Sequence, residues 1–229
     1  MIQKKMTFRI LGHLLLLLTA MMLICLIFPI IYGEDDLLAF AITAGITSAV
    51  GGLLMYLGRG ASRKLTRRNG YLIVSLAWII FSIFGMLPFY LSGYIPNITD
   101  AFFETMSGVS STGASILDNI EELPHGLLFW RSLTQWIGGL GIILFTIAVL
   151  PIFGFNGVQM FAAEATGPLH DKVHPRIGVT ARWVWTLYAG LTVILFFLLL
   201  LGDMNWFDSI CHALTATGTG GFSTKQASI

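Results

Sequence analysis

Apolar residues run through this chain in five long blocks, at about 10–32, 37–57, 71–93, 126–153 and 180–202. A helix rising about 1.5 Å per residue needs about 20 residues to cross the hydrocarbon of a bilayer, and each block meets that length. The pattern predicts five transmembrane helices. Two stretches break it: 97–123, between the third and fourth blocks, and 204 onward. Both are too rich in Gly, Ser and Thr for ordinary spans, yet too apolar at Ala101-Phe102-Phe103 and Trp206-Phe207 for ordinary loops. The first block follows Lys4 and Lys5 like a signal peptide. It is too long for a signal core and ends in Phe28-Pro29-Ile30-Ile31-Tyr32 without a small-residue cleavage site, so it reads as an uncleaved first helix.

Composition agrees with a membrane protein. Of 229 residues, 55% are hydrophobic and 11% charged, against roughly 25% charged in a soluble domain, which leaves too little polar surface for a soluble globule of this size. The net charge of +1 says nothing, but its distribution orients the chain. Lys4, Lys5 and Arg9 precede the first block, Arg59, Arg63, Lys64, Arg67 and Arg68 join the second to the third, and Lys172, Arg176 and Arg182 join the fourth to the fifth. The positive-inside rule makes that side the cytoplasm, with the N-terminus inside. Glu34, Asp35, Asp36, Asp100, Glu104, Asp118, Glu121, Glu122, Asp203 and Asp208 then fall near the outer face. That arrangement requires both odd stretches to start and finish outside, so they are expected to be re-entrant. Gly45, Ser48, Gly51, Gly52 and Gly58 in the second block, and Gly138, Gly139 and Gly141 in the fourth, suit close helix packing in lipid. Cys25 and Cys211 lie in or beside apolar segments and read as buried free thiols.

The odd stretches repeat. Asp100 to Ser115 lies over Asp208 to Ser223 at an offset of 108 residues without a gap, bringing Asp100 onto Asp208, Gly113 onto Gly221 and Ser115 onto Ser223. The same offset carries 71–93 onto 180–202, so the unit is helix, short helix, glycine-bearing strand, helix. Asp100 and Asp208 stand as expected N-caps of short amphipathic helices whose negative C-terminal ends point into the membrane and favour a cation. The chain then returns through small residues, Gly113 and Gly221 supplying dihedrals that a Cβ resists. Irregular backbone at membrane depth persists only where protein or a watery cavity satisfies it. Free carbonyls there replace the water shell of a monovalent cation. The predicted filter is Ser110, Ser111, Thr112 and Gly113 with Gly218, Thr219, Gly220 and Gly221, the ion lying at Ser111, Thr112, Thr219 and Gly220; Asp100, Glu104 and Asp208 flank it in an outer vestibule.

Other chemistries fit less well. Thr217-Gly218-Thr219-Gly220-Gly221 lacks the Gly-Lys-Ser/Thr ending of a phosphate loop and lies beside carboxylates. A secondary transporter binding an organic anion through re-entrant hairpins would want intramembrane basic residues. An intramembrane hydrolase built on Ser110 or Ser111 lacks a histidine base on a neighbouring helix. No enzyme is expected. His170 and His174 flank Asp171 and Lys172, a pattern better read as solvated interfacial side chains than as a metal site. His212 matches Glu104 in the repeat and reads as a hydrogen-bonded structural histidine. Arg131, near the outer end of the fourth block, is expected to form a structural salt bridge with a loop carboxylate such as Glu104 or to snorkel to the interface. Glu104 is the better functional candidate of that pair, since outward carboxylates concentrate cations.

Taken together, these residues resemble the Trk/Ktr/HKT superfamily of potassium transporters, and within it the membrane subunit of the bacterial Trk system. The resemblance runs over essentially the whole chain. It includes the N-terminal hairpin, Ile98 to Gly108 leading into Thr112-Gly113-Ala114, Leu123-Pro124-His125, Trp130 to Gly141, Ala163-Glu164-Ala165-Thr166-Gly167-Pro168 and Gly220 to Thr224. It implies an all-α membrane fold, with a helix hairpin at 1–69, a first helix–pore loop–helix repeat at 70–155, a cytoplasmic connection at 156–179 and an incomplete second repeat at 180–229. It also implies four such repeats per pore, a homodimer of full-length subunits, a cytosolic nucleotide-binding regulatory subunit and residence in the bacterial inner membrane. No nucleic acid is expected as a partner and no cofactor beyond the potassium ion itself. Sodium-favouring relatives carry serine in place of the first filter glycine, so Gly113 implies potassium; a sodium-permeable member of the superfamily is the alternative. With two loops where a pore needs four, the chain is expected to be the N-terminal half of a longer protein.

Overall fold

The computed structural model describes residues 4–61, 67–149 and 177–227. Among them the regular structure is helical, with no strand. The first block forms α1 (Lys4–Cys25) and α2 (Ile27–Tyr32) rather than one helix. The break has a covalent cause: Pro29 has no N–H to offer the carbonyl of Cys25, and its ring crowds that carbonyl. A left-handed Gly33 (φ 70°) turns the chain into α3 (Leu37–Leu57), which packs antiparallel along α1. Gly12 and Gly51 mark the crossing, where a Cβ on Gly12 would lie 2.8 Å from the Gly51 carbonyl oxygen. Small residues thus let the backbones touch at Gly51 and Gly58, as expected of them, whereas Gly45 and Gly52 face open space.

The third block is likewise broken, into α4 (Arg67–Gly85) and α5 (Leu87–Leu91), with Pro88 just after the break. The carbonyl of Gly85 accepts a hydrogen bond from the Trp130 indole (2.9 Å). Next come a short helix α6 (Ile98–Val109), a loop, one 3-10 turn at Ile120–Glu122, and the central helix α7 (His125–Val149). Residues 150–153 of the fourth predicted block lie outside the described residues. The second unit opens with α8 (Ile177–Leu201), unbroken where Phe196 stands in place of Pro88, and continues with α9 (Trp206–Thr217). His170, Asp171, Lys172 and His174, and the motif Ala163 to Pro168, lie outside the described residues.

Four segments among the described residues are long and apolar enough to cross a membrane: Lys4–Tyr32, Leu37–Leu57, Asn69–Leu91 and Arg182–Leu201. Their outward faces carry Leu17, Leu23, Leu38, Leu53, Leu187 and Leu198, all exposed. So large an apolar surface is stable against lipid rather than water. The first half of α7 has the opposite character, with Leu127 to Gln135 buried without interruption. It is the post on which α6, α8 and α9 lean. Cys25 and Cys211 are free and buried, as read from the sequence.

Candidate functional site

α6 and α9 occupy residues 98–109 and 206–217, so the offset of 108 maps one helix onto the other residue for residue. Their N-caps are Asn97 and Asn205, whose side-chain oxygens accept from the N–H groups of Thr99 (2.9 Å) and Asp208 (2.7 Å). Asp100 and Asp208, expected to cap, sit three residues further in. Asparagine is as good a cap as aspartate, and a carboxylate within the first turn still faces the positive end of the helix dipole.

Both helices end alike. After α6, the N–H of Ser111 bonds the Gly108 carbonyl (2.9 Å) and that of Thr112 bonds Ser107 (3.0 Å). After α9, Thr219 bonds Ala216 (3.0 Å) and Gly220 bonds Thr215 (2.9 Å). These are paired Schellman closures, in which the residue after the cap adopts the left-handed conformation usually given to glycine. Here it is Ser111 (φ 55°) and Thr219 (φ 53°), again 108 apart. The carbonyls of Ser107 and Gly108, and of Thr215 and Ala216, are thereby consumed. The carbonyls that follow are not: among the described residues no donor reaches the oxygens of 110–113 or 218–221.

The two loops meet at their glycines. Gly113 is left-handed (φ 77°), and a Cβ on it would lie 2.8 Å from the Gly221 nitrogen. Its side chain is excluded twice over. Gly221 has no left-handed φ and an ordinary Cβ would fit, so the dihedral role expected of it belongs to Gly113 alone.

A buried polar lattice holds the return limbs. Glu104 is 0% exposed and Arg131 1%. Arg131 Nε donates to Glu104 Oε1 (2.9 Å), Nη2 to Ser115 Oγ (3.2 Å) and Nη1 to the Ser223 carbonyl (3.0 Å), while the guanidinium lies 4.2 Å from the Phe222 ring centroid. Glu104 also accepts from Ser115 Oγ (3.0 and 3.1 Å) and the Ile116 N–H (3.1 Å). One arginine therefore ties the first loop to the second. The salt bridge expected of Arg131 is present. Glu104 is thus removed from an open vestibule, its charge matched in the interior rather than presented to ions.

Asp208 is also engaged, accepting from Thr224 Oγ1 (2.6 Å) and Asn205 Nδ2 (2.7 Å) with Lys225 Nζ 3.5 Å away. It borders a cleft of about 420 Å³ shared with Glu121, His125 and Lys225. Asp100 is partly exposed. His212, expected to be hydrogen-bonded, instead lines a pocket of about 310 Å³ beside Asp203, Asp208 and Lys225. Gln135, one turn below Arg131, had no place in the sequence reading. Its carbonyl accepts from Ser111 Oγ (3.3 Å), and its side-chain oxygen accepts from the N–H groups of Gly221 (3.2 Å) and Phe222 (3.1 Å). The available signal was a polar pair at i, i+4 inside an apolar helix.

The chain is similar to known cation transport proteins. The family described as "TrkH: Cation transport protein" matches residues 37–229. The Trk system potassium uptake protein TrkH of Escherichia coli (strain K12) is 42% identical over 224 residues, which is 96% of this chain and 46% of that protein. The Trk system potassium uptake protein TrkG of the same strain is 36% identical over 221 residues, 95% of this chain and 45% of that one. The crystal structure of the potassium transporter TrkH from Vibrio parahaemolyticus superposes with a TM-score of 0.86 at 34% identity, covering 100% of this chain and 46% of that one. The chain spans about half the length of the curated relatives it matches.

Proposed function

The chain belongs to the TrkH family of cation transport proteins, and from that premise we propose that it supplies two of the filter loops of a potassium-uptake pore. The observation that carries the reading is the pair of donor-free carbonyl runs, 110–113 and 218–221, that follow identical helix closures and meet at Gly113 and Gly221. Each short helix directs the negative end of its dipole toward its loop. Because the Schellman closures occupy carbonyls of the last helical turn, the cation's ligands are the loop carbonyls, with K+ held at Ser111, Thr112, Thr219 and Gly220. Carbonyl oxygens that replace a hydration shell suit a large monovalent ion that gives up its water readily.

On this reading residues 1–69 are a membrane hairpin, 70–155 a complete helix–pore loop–helix unit, 156–179 a cytoplasmic connection and 180–229 the helix and loop of a second unit. The N-terminus is cytoplasmic and the membrane is the bacterial inner membrane. The relatives, named as potassium uptake proteins of Trk systems, support the same ion. The assembly is a homodimer of full-length subunits served by a cytosolic nucleotide-binding regulatory subunit.

The test is growth and flux. The complete gene product, expressed in a bacterium without its own potassium-uptake systems, restores growth at low K+ and carries Rb+. Gly113→Asp, which adds a side chain where both φ and Gly221 forbid one, abolishes the flux. Rb+ uptake at the wild-type rate in that variant overturns the filter assignment.

A further inference from the structure

The geometry points to Gln135 as a positioning residue that aims the carbonyls of Gly220 and Gly221 at the ion; this rests on the filter reading above. Gln135 is wholly buried in α7, behind the second loop. Its side-chain oxygen takes two consecutive N–H groups, those of Gly221 and Phe222. In a planar trans peptide the N–H and C=O point in opposite directions. Fixing the Gly221 N–H toward α7 therefore sends the Gly220 carbonyl away from α7, and fixing the Phe222 N–H does the same for Gly221. A peptide flipped the other way would present a positive N–H where the cation needs an oxygen. One acceptor thus specifies two ligands.

The surroundings leave this oxygen little choice of position. A Cβ on Gly220 would collide with the Gln135 carboxamide, and a Cβ on Gly218 would lie 2.6 Å from the Gln135 carbonyl oxygen. The loop accordingly lies flat on α7, and glycine at both positions is what permits it. The carbonyl of the same residue accepts from Ser111 Oγ, so one α7 residue touches both loops. The carboxamide nitrogen is buried with no hydrogen-bond partner among the described residues. The function therefore resides in the oxygen, and glutamate, which keeps an acceptor oxygen whether ionised or neutral, can replace it.

The experiment measures Rb+ and Na+ uptake by the complete gene product in the uptake-deficient bacterium, at matched membrane abundance. Gln135→Met keeps the length and removes the acceptor. Its Rb+ to Na+ ratio falls about tenfold, the order expected when buried donors lose their partner. Gln135→Glu keeps the ratio within about twofold of wild type. A purely packing role would give the reverse order, since methionine fills the space without burying a charge. A wild type that carries Rb+ together with a Gln135→Met that discriminates normally overturns this inference alone. If the methionine variant does not reach the membrane, loss of discrimination in Gln135→Glu overturns it equally. A wild type that carries no Rb+ overturns the functional reading, and this inference with it.

Discussion

At the scale of single residues, the buried Arg131–Glu104 pair is fully committed to partners. Arg131 spends its guanidinium on Glu104, Ser115 and the Ser223 carbonyl together. A planar fork of donors can do this and an ammonium cannot. Removing one partner of such a pair leaves an uncompensated buried charge, at a cost of about 3–5 kcal/mol. Glu104→Gln and Arg131→Met are therefore each expected to lower the thermal midpoint of the detergent-solubilised complete protein steeply. The double variant should lose clearly less than the sum of the two, as paired residues do. Strict additivity would show that the two side chains do not act as a pair. The pairing was legible in the sequence, because an arginine inside an apolar helix must find an acid. Gln135 was not, because a neutral amide announces no partner. Its importance depends on which backbone N–H groups a loop over 80 residues away brings to it. The helix caps were misplaced for a related reason: Asn97 and Asp100 both suit the start of α6, and only the backbone decides between them.

At the scale of elements, length and periodicity located the helices, and the prolines account for their breaks. α3 spans Leu37–Leu57, the predicted block itself. The first and third blocks were read as continuous, although Pro29 and Pro88 stand inside them and make breaks expected on steric grounds. The repeat was legible because its offset is strict, and the structure extends it to the caps and to the left-handed residues. Those residues carry strain that the sequence alone did not show. Serine and threonine at a left-handed position cost roughly 1–2 kcal/mol relative to glycine, against which glycine loses some unfolded-state entropy. Thr219→Gly is accordingly expected to raise the thermal midpoint of the complete protein by a few degrees. An unchanged or lowered midpoint would mean that the threonine side chain contributes contacts outweighing the backbone strain. A β-branched residue there, against its local preference, fits a site where backbone strain serves function.

At the scale of the whole molecule, the N-terminal hairpin is joined to the two loops through the N-terminus of α7. Glu34, in the turn between α2 and α3, accepts from the His125 N–H (2.7 Å) and meets His125 Nδ1 at 2.6 Å, while Tyr32 stacks on the imidazole at 3.7 Å. Beside it Asp36 is wholly buried against Gly126, where a Cβ would collide with its carboxylate. The sequence placed these acids on the outer face but not against α7, since nothing local links residue 36 to residue 126. Burial pushes the Asp36 carboxyl up to about 6, Glu34 adds to the rise, and the neighbouring backbone N–H groups of Asp36 and Leu127 oppose it without reversing it. A carboxyl with a raised folded-state value favours the protonated form in the native protein. Its penalty is full above about pH 6 and gone below about pH 4, so acidification through that window stabilises the fold. Two pH units correspond to about 3 kcal/mol. Every other ionisable group shapes the absolute curve equally in both proteins, so the informative quantity is the difference between wild type and Asp36→Asn. The variant should have the higher midpoint at pH 7.5 and gain less than wild type between pH 7.5 and 5, read by thermal unfolding in detergent. Parallel curves for the two proteins would show that Asp36 does not bury its charge on folding.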